Sequence, residues 1–282
     1  MIVITGATGQ LGRLVVDSLL KKVPAASLVA AVRNVDKAQD LAELGVEVRQ
    51  ADYDRADSWD AALQGADKVL LISSSEVGKR TSQHQAVIDA AKRVGVKLLA
   101  YTSILHADSS VLGLADEHRE TEAALNASGL PFVLLRNGWY TENYTHGVPT
   151  ALSLGAVYGC AGEGRIASAG RADYADAAAM VLTSDAQAGK VYELAGDTAY
   201  TLSELATEIE RQSGKPIDYV NLTEAEYTKV LLGAGLPEAF AKLLADSDAG
   251  VAKGALFDDG KQLSQLIGRP TLSLEAAVKA AL

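Results

Sequence analysis

The chain has 282 residues and one cysteine, Cys160. That excludes an internal disulfide and any cysteine-based metal cluster. Cys160 sits among small, apolar neighbours and reads as a packed residue rather than a reactive thiol. No apolar run approaches the roughly 20 residues needed to cross a bilayer. The N-terminus enters an apolar run, Met1-Ile2-Val3-Ile4, with no basic leader, so neither a membrane span nor a signal peptide is expected. No block of five Lys or Arg occurs, and the formal net charge of −10 repels phosphate backbones, which excludes nucleic acid as an expected partner. His84, His106, His118 and His146 share no ligand spacing, so no metal site is expected. The expected compartment is a reducing cytoplasm.

What is present is ample apolar material: 48% of residues are hydrophobic and 22% charged, enough for a large α/β domain with a smaller appendage. Over the first 136 residues, strand-like runs at 1–5, 28–33, 46–50, 68–73, 96–102 and 132–136 alternate with amphipathic segments at 10–22, 35–44, 55–64, 81–94 and 116–128. The runs are rich in Val, Leu, Ile and Ala and lack polar alternation, the pattern of parallel strands buried on both faces. Gly45, Gly65, Gly95 and Gly129 stand where helices should stop. The repeated phase predicts a doubly wound parallel sheet.

Beyond Arg136 the rhythm loosens into a stretch punctuated by Gly138, Gly147, Gly155, Gly159, Gly162 and Gly164. Helices are expected at 171–183, 202–212, 224–233 and 237–244, with extended pieces at 190–195 and 216–221 and Thr201 or Ser203 as a cap. The expected organisation is a dinucleotide-binding domain over 1–136, with parts of 165–200, and a smaller, mostly helical substrate-side lobe over 137–282.

Directly after the first strand comes TGATGQLG, with Gly6, Gly9 and Gly12 spaced as G-x-x-G-x-x-G around Ala7, Thr8, Gln10 and Leu11. Gly6 permits the tight turn, Gly9 lets the backbone approach a pyrophosphate, and Gly12 allows close packing of helix on strand. The following helix presents free N–H groups and a partial positive charge to the phosphates. A dinucleotide is the natural ligand, since no P-loop Lys-Ser/Thr follows. Enzymes preferring NAD place a carboxylate at the end of the second strand to bind the ribose hydroxyls. Here "LVAAVRN" places Arg33 there, and a guanidinium pairs with a 2′-phosphate that a carboxylate would repel. NADP, with NADPH preferred over NADH, is the expected cofactor. The fourth strand ends in "LLISSSE", where the small Ser73, Ser74 and Ser75 would let the cofactor lie over the strand ends.

No tyrosine is followed four residues later by lysine, so the catalytic pair of ordinary short-chain dehydrogenases is missing. Ser103, in "YTSI", stands where that superfamily keeps its hydroxyl. His118, in "LADEHRETEAAL", could face the nicotinamide from the start of a helix.

TGATGQLG, VRN, "QADY", LISSSE, "YTSILHAD", "ADEHRETE", "LLRNGWYTENY", "KVYELAGD" and "LIGRPTLSL" together resemble the atypical short-chain reductases of the NmrA-like group, and within it the bacterial NADPH-dependent type 2 quinone oxidoreductases. The resemblance runs through essentially the whole chain. It implies a Rossmann-type fold and a cytoplasmic NADPH-dependent quinone reductase that uses neither flavin nor metal and works as monomer or homodimer. It also implies that the 6–12 loop, Arg33 and residues 73–75 bind NADP, while Asn137, Gly138, Trp139, Tyr140 and Asn143 border nicotinamide and quinone. His118 and Asn137 are the candidates for a catalytic role. The triphenylmethane-dye reductases share the framework and form a second reading; a non-catalytic NADP(H)-binding redox sensor forms a third. Read from the residues alone, Trp139 and Tyr140 follow a strand end, where they would either stack on a flat ring or pack the two lobes together. Hydride addition to a quinone leaves a delocalised, phenolate-like anion, which accounts for the missing acid: reducing a simple ketone leaves an alkoxide that needs one.

Overall fold

The apolar runs become strands β1 (Ile2–Thr5), β2 (Leu28–Val32), β3 (Glu47–Gln50), β4 (Lys68–Leu71), β5 (Leu98–Ile104), β6 (Phe132–Asn137) and, later, β8 (Val191–Leu194). The structure is a computed structural model describing residues 1–282. The strands form one sheet in the order β3-β2-β1-β4-β5-β6-β8. Every pair from β3 across to β6 is parallel. The order runs one way from β1 and the other way from β4, so the switch point lies between these two strands, where open α/β sheets bind ligands beyond their carboxyl ends. This is the Rossmann-type doubly wound arrangement. β1, β2 and β5 are buried along their whole length, the physical reason their sequences carry no polar alternation.

Between the strands lie α1 (Gln10–Leu20), α2 (Gln39–Glu43), α3 (Ser58–Ala62), α4 (Arg80–Val94) and α5 (Ala115–Ser128). The helix expected at 35–44 begins instead as a 3-10 turn at Val35–Ala38, because the Asn34 side chain accepts from the Asp36 N–H and starts a tight turn first. On one face of the sheet Val3, Val29, Val69, Leu71, Leu99 and Tyr101 meet Trp59, Leu63, Val87, Ile88 and Leu125. α1 buries Leu11, Val15, Val16 and Leu19. Fully burying each of these large side chains contributes about 1.5–3 kcal/mol. α8 (Arg171–Thr183) joins α1 through Ser18 Oγ donating to Asp176 Oδ1 at 2.6 Å, and buried Ala175, Ala177, Ala178 and Ala179 keep α8 slim.

The chain divides into two units: Met1–Ala107 with Glu117–Asn137 and Arg171–Tyr192, and Asp108–Asp116 with Gly138–Gly170 and Glu193–Leu282. In the second unit, β7 (Ala156–Gly159) and β9 (Asp218–Asn221) pair in parallel. The helices of this unit are α6 (Glu142–Thr145), α7 (Val148–Leu154), α9 (Leu202–Ser213), α10 (Glu224–Gly233), α11 (Glu238–Val251), α12 (Gln262–Ile267) and α13 (Leu274–Ala281). Thr201, rather than Ser203, caps α9 in a reciprocal box with Glu204. α11 runs seven residues past the expected end at 244. The polar Asp246, Ser247 and Asp248 interrupt the apolar periodicity, yet Ser247 and Asp248 are buried, Asp248 taking the Cys160 N–H. No helix is long and apolar enough to cross a membrane.

Candidate functional site

β1 delivers the chain to Gly6, whose φ of +59° lies in the left-handed region open to glycine. Gly9 N–H donates to Gly6 O at 2.9 Å and closes the turn. A Cβ at Gly12 would stand 2.3 Å from Gly6 O and 2.7 Å from Ala7 Cα, both backbone atoms, so no side chain fits and α1 lies hard against the loop. Ala7, Leu11 and Gly12 are buried, Gly6 and Thr8 half-buried, Gly9 and Gln10 exposed. As the N-cap of α1, Gly9 brings no side chain to its first amides. An exposed helix N-terminus of this kind is built for an anion. Arg33 follows β2 directly; its side chain is 73% exposed and reaches Glu76 at 4.0 Å. Amides at α1 and a guanidinium beyond β2 are a donor set that fits a phosphorylated dinucleotide.

Beyond β4, side chains replace the strand ladder as hydrogen-bonding partners. Ile72 N–H donates to Thr5 Oγ1 at 2.9 Å, and the Tyr53 hydroxyl donates to Ile72 O at 2.6 Å. Ser73 N–H donates to Thr102 Oγ1 at 2.9 Å. Ser74 is buried, with its N–H on His84 Nε2 at 2.9 Å and its C=O accepting from Arg80 Nε at 2.6 Å. Ser75 is exposed. Residues 73–75 thus form a fixed turn at the end of β4. Sequence reasoning missed Thr5, Tyr53, Arg80, His84 and Thr102 as the parts that fix it. The one available signal was Arg80 and His84 at helical i, i+4 spacing, which puts both on one face of α4.

His118 is 6% exposed. Its Nδ1 lies 2.7 Å from the Tyr101 hydroxyl and its Nε2 lies 3.4 Å from Arg80 Nη1. A guanidinium only donates, so Nε2 is the accepting nitrogen and Nδ1–H donates to Tyr101. Burial, reinforced by the charge of Arg80 and then by His84, pushes the pKa of His118 down to about 3. Ser103 is also engaged: its hydroxyl donates to Glu122 Oε1 at 2.5 Å. Glu122 takes Arg136 Nε at 3.0 Å and Nη2 at 2.7 Å, a buried bidentate pair.

Asn137, the last residue of β6, is 6% exposed and its Oδ1 has no hydrogen-bond partner. A buried amide oxygen left unpaired costs about 1–3 kcal/mol, so this acceptor is poised for a ligand donor. In the second unit, Gly138 is buried and Trp139 and Tyr140 half-buried, while Asn143 is exposed. Ala169 holds this stretch from both sides: its N–H donates to Trp139 O at 3.1 Å and its C=O accepts the Thr141 N–H at 2.9 Å. Asn143 N–H returns to Tyr140 O at 3.0 Å, so the aromatic pair sits on a fixed backbone. Cys160 is buried, and burial, with Asp248 beside it, pushes its thiol up to about 12, which leaves it unreactive.

Residues 6–185 match the NAD(P)H-binding family. Quinone oxidoreductase 2 of Escherichia coli is 59% identical over 278 residues, covering 99% of this chain and 97% of that protein. The crystal structure of the Escherichia coli NADPH-dependent quinone oxidoreductase complexed with NADPH superposes with a TM-score of 0.98 at 58% identity, covering 99% of each chain. The Citrobacter sp. triphenylmethane reductase complexed with NADP(H) superposes with a TM-score of 0.97 at 39% identity over 100% of both chains.

Proposed function

Because the chain belongs to the NAD(P)H-binding family, we propose that it is an NADPH-dependent quinone oxidoreductase that passes hydride directly to a quinone. The observation that carries this reading is the full-length likeness to the Escherichia coli quinone oxidoreductase. NADPH, when bound, supplies the hydride. The amides at the start of α1 and the 6–12 loop take its pyrophosphate, Arg33 takes the 2′-phosphate, and residues 73–75 border its middle. Asn137 Oδ1 suits a carboxamide N–H2, and the flat faces of Trp139 and Tyr140 suit the quinone ring, with Gly138 and Asn143 beside them.

No acid of ordinary short-chain dehydrogenase type is needed, since the reduced ring tolerates its charge until water supplies a proton. Two engagements support the same view: Ser103 is committed to Glu122, and His118 is buried between Tyr101 and Arg80. Direct transfer also requires no flavin and no metal. The test is NADPH and NADH oxidation by purified protein against quinones, triphenylmethane dyes and simple ketones. Quinone turnover with NADPH preferred is expected. Tight NADPH binding without turnover on any acceptor would make the protein a sensor instead, and dye turnover exceeding quinone turnover would favour the second reading. Arg33→Glu should weaken NADPH by roughly 2–4 kcal/mol and NADH far less, the scale of a lost charge-assisted pair plus repulsion.

A further inference from the structure

The turn after β4 stands at the β1/β4 switch point, where this topology binds its ligand. Its buried residue, Ser74, has both backbone groups held by side chains of α4: the N–H by His84 and the C=O by Arg80. These holders are themselves held. His84 accepts at Nε2, so Nδ1 carries its proton and donates to Thr121 Oγ1 at 2.9 Å. Thr121 in turn donates to Glu117 O at 2.8 Å. Arg80 is steadied by His118, which is backed by Tyr101 of β5. The Glu117 carboxylate accepts the Arg80 N–H at 3.0 Å and the Gly78 N–H at 3.0 and 3.1 Å, closing the start of α4 where Lys79 supplies no side-chain cap. Three elements, α4, α5 and β5, therefore converge on one residue, holding the peptide on either side of it. Burial alone demands partners for these polar atoms, and a cofactor crossing the segment needs in addition a pocket wall that keeps one shape.

We infer that His84 and Arg80 are positioning residues that hold the Ser74 peptide, and with it the 73–75 wall of the cofactor site, in the form that receives NADPH. This rests on the proposed NADPH-binding reading. Neither side chain is required to touch the cofactor; they act through the backbone of Ser74. The second-layer pair of His118 and Thr121 fixes which nitrogen each partner presents, so the imidazole of His84 works as a neutral acceptor of defined orientation.

The test uses two isosteres of His84 in the full chain. Gln places an oxygen where Nε2 stands and keeps the acceptor for the Ser74 N–H. Asn matches the Nδ1 side, keeps the Thr121 contact and leaves Ser74 unheld. Amide hydrogen exchange at Ser74, NADPH Kd and kcat at saturating NADPH are measured for each. His84→Asn should exchange Ser74 at least about tenfold faster and raise the NADPH Kd about tenfold, with kcat within about threefold of wild type. His84→Gln should restore most of both. A folded Asn variant with unchanged NADPH Kd, or a Gln variant no better than Asn, overturns the inference. Should the Asn variant not fold, Arg80→Met, which frees the Ser74 C=O but leaves its N–H on His84, takes its place: the NADPH Kd should rise about tenfold with kcat within about threefold, and an unchanged Kd overturns the inference. Wild-type protein that fails to bind NADPH would instead overturn the proposed function, so the two failures are distinct.

Discussion

His84 and His118 in the first unit and Asp248 in the second are all buried titratable side chains, but their surroundings differ. The two imidazoles lie in a network of hydroxyls, amides and the Arg80 guanidinium, and burial with that nearby charge pushes both to about 3. Nearby, the first unit also buries Glu122 against Arg136, charge against charge. Asp248 rests on backbone amides, with Cys160 N–H at 2.5 Å, and burial pushes its carboxyl up from the ordinary range while the amides of Cys160 and Ala161 oppose the shift. The difference teaches that burying a base and burying an acid load the fold from opposite ends of the pH scale. A histidine neutral in the fold binds its proton more weakly folded than unfolded, so stability falls as pH drops below 6.5 toward about 3. A carboxyl raised by burial binds its proton more tightly folded, so its penalty is absent below the unfolded value of 3.8, grows as pH rises above it and is complete once pH has passed through the folded value.

Breaking the charge pairing of the first unit should have the largest effect. Glu122→Leu removes the bidentate carboxylate from the buried Arg136 guanidinium and should lower stability in urea unfolding by about 3–5 kcal/mol. The double variant Glu122→Leu with Arg136→Leu should recover part of that loss, since the guanidinium is removed together with the carboxylate; a fully additive double variant would show that the pair does not act as a unit. Next in size is acid sensitivity. Between pH 7 and 5 each buried histidine should remove about 2 kcal/mol of unfolding free energy, at about 1.4 kcal/mol per pH unit below 6.5. Replacing either by Leu should flatten the pH slope by that share, and an unchanged slope would mean the imidazole is protonated in the folded protein.

His118→Ala should reduce quinone turnover at pH 7 only about tenfold, against the roughly 10²–10⁴ expected for loss of a general acid. A collapse of about a thousandfold in a folded variant would make His118 the acid that the quinone scheme does without. The smallest effect should come from Asp248→Asn. Asn keeps an acceptor for the Cys160 N–H but cannot titrate, so the stability of this variant relative to wild type should improve as pH rises above 3.8 and level off once pH passes the raised folded value. A relative stability that moved the other way would place Asp248 among groups stabilised in their charged form.

Much of the first unit was legible in the sequence. The six N-terminal strands fall within one or two residues of their apolar runs, and Gly45, Gly65, Gly95 and Gly129 all adopt positive φ at segment ends as their positions implied. The glycine loop at 6–12 was legible as a turn because Gly6 and Gly12 obey hard steric limits that a pattern of glycines reports directly. The support beneath the 73–75 turn was not legible. Thr5, Tyr53, Arg80, His84 and Thr102 come from four distant stretches of chain, and only the fold brings their polar atoms to successive peptides. The second unit was harder still. In α11, Asp246, Ser247 and Asp248 look like the end of a helix, yet Ser247 and Asp248 are buried, and the partner of Asp248, Cys160, is 88 residues away. Asp218–Asn221 falls inside the extended piece expected at 216–221, but its parallel pairing with Ala156–Gly159, 62 residues earlier, is a relation that periodicity does not report.

The chain passes from one unit to the other five times, after Ala107, Asp116, Asn137, Gly170 and Tyr192. This threading governs how the protein can be made. On the ribosome the first 137 residues emerge with the glycine loop and six strands, but without α8 against α1 and without the bond from Leu134 N–H to Lys190 O at the β6 edge. A nascent chain at that stage presents an open strand edge and an apolar helix face, the features that invite mispairing. The sheet can close its edge only after Val191–Leu194 has been released, by which time Asp108–Asp116 and Gly138–Gly170 of the other unit have already been synthesised. Neither unit can then be cut out as a continuous fragment, and a gene truncated after Asn137 should yield an aggregating product rather than a small nucleotide-binding domain.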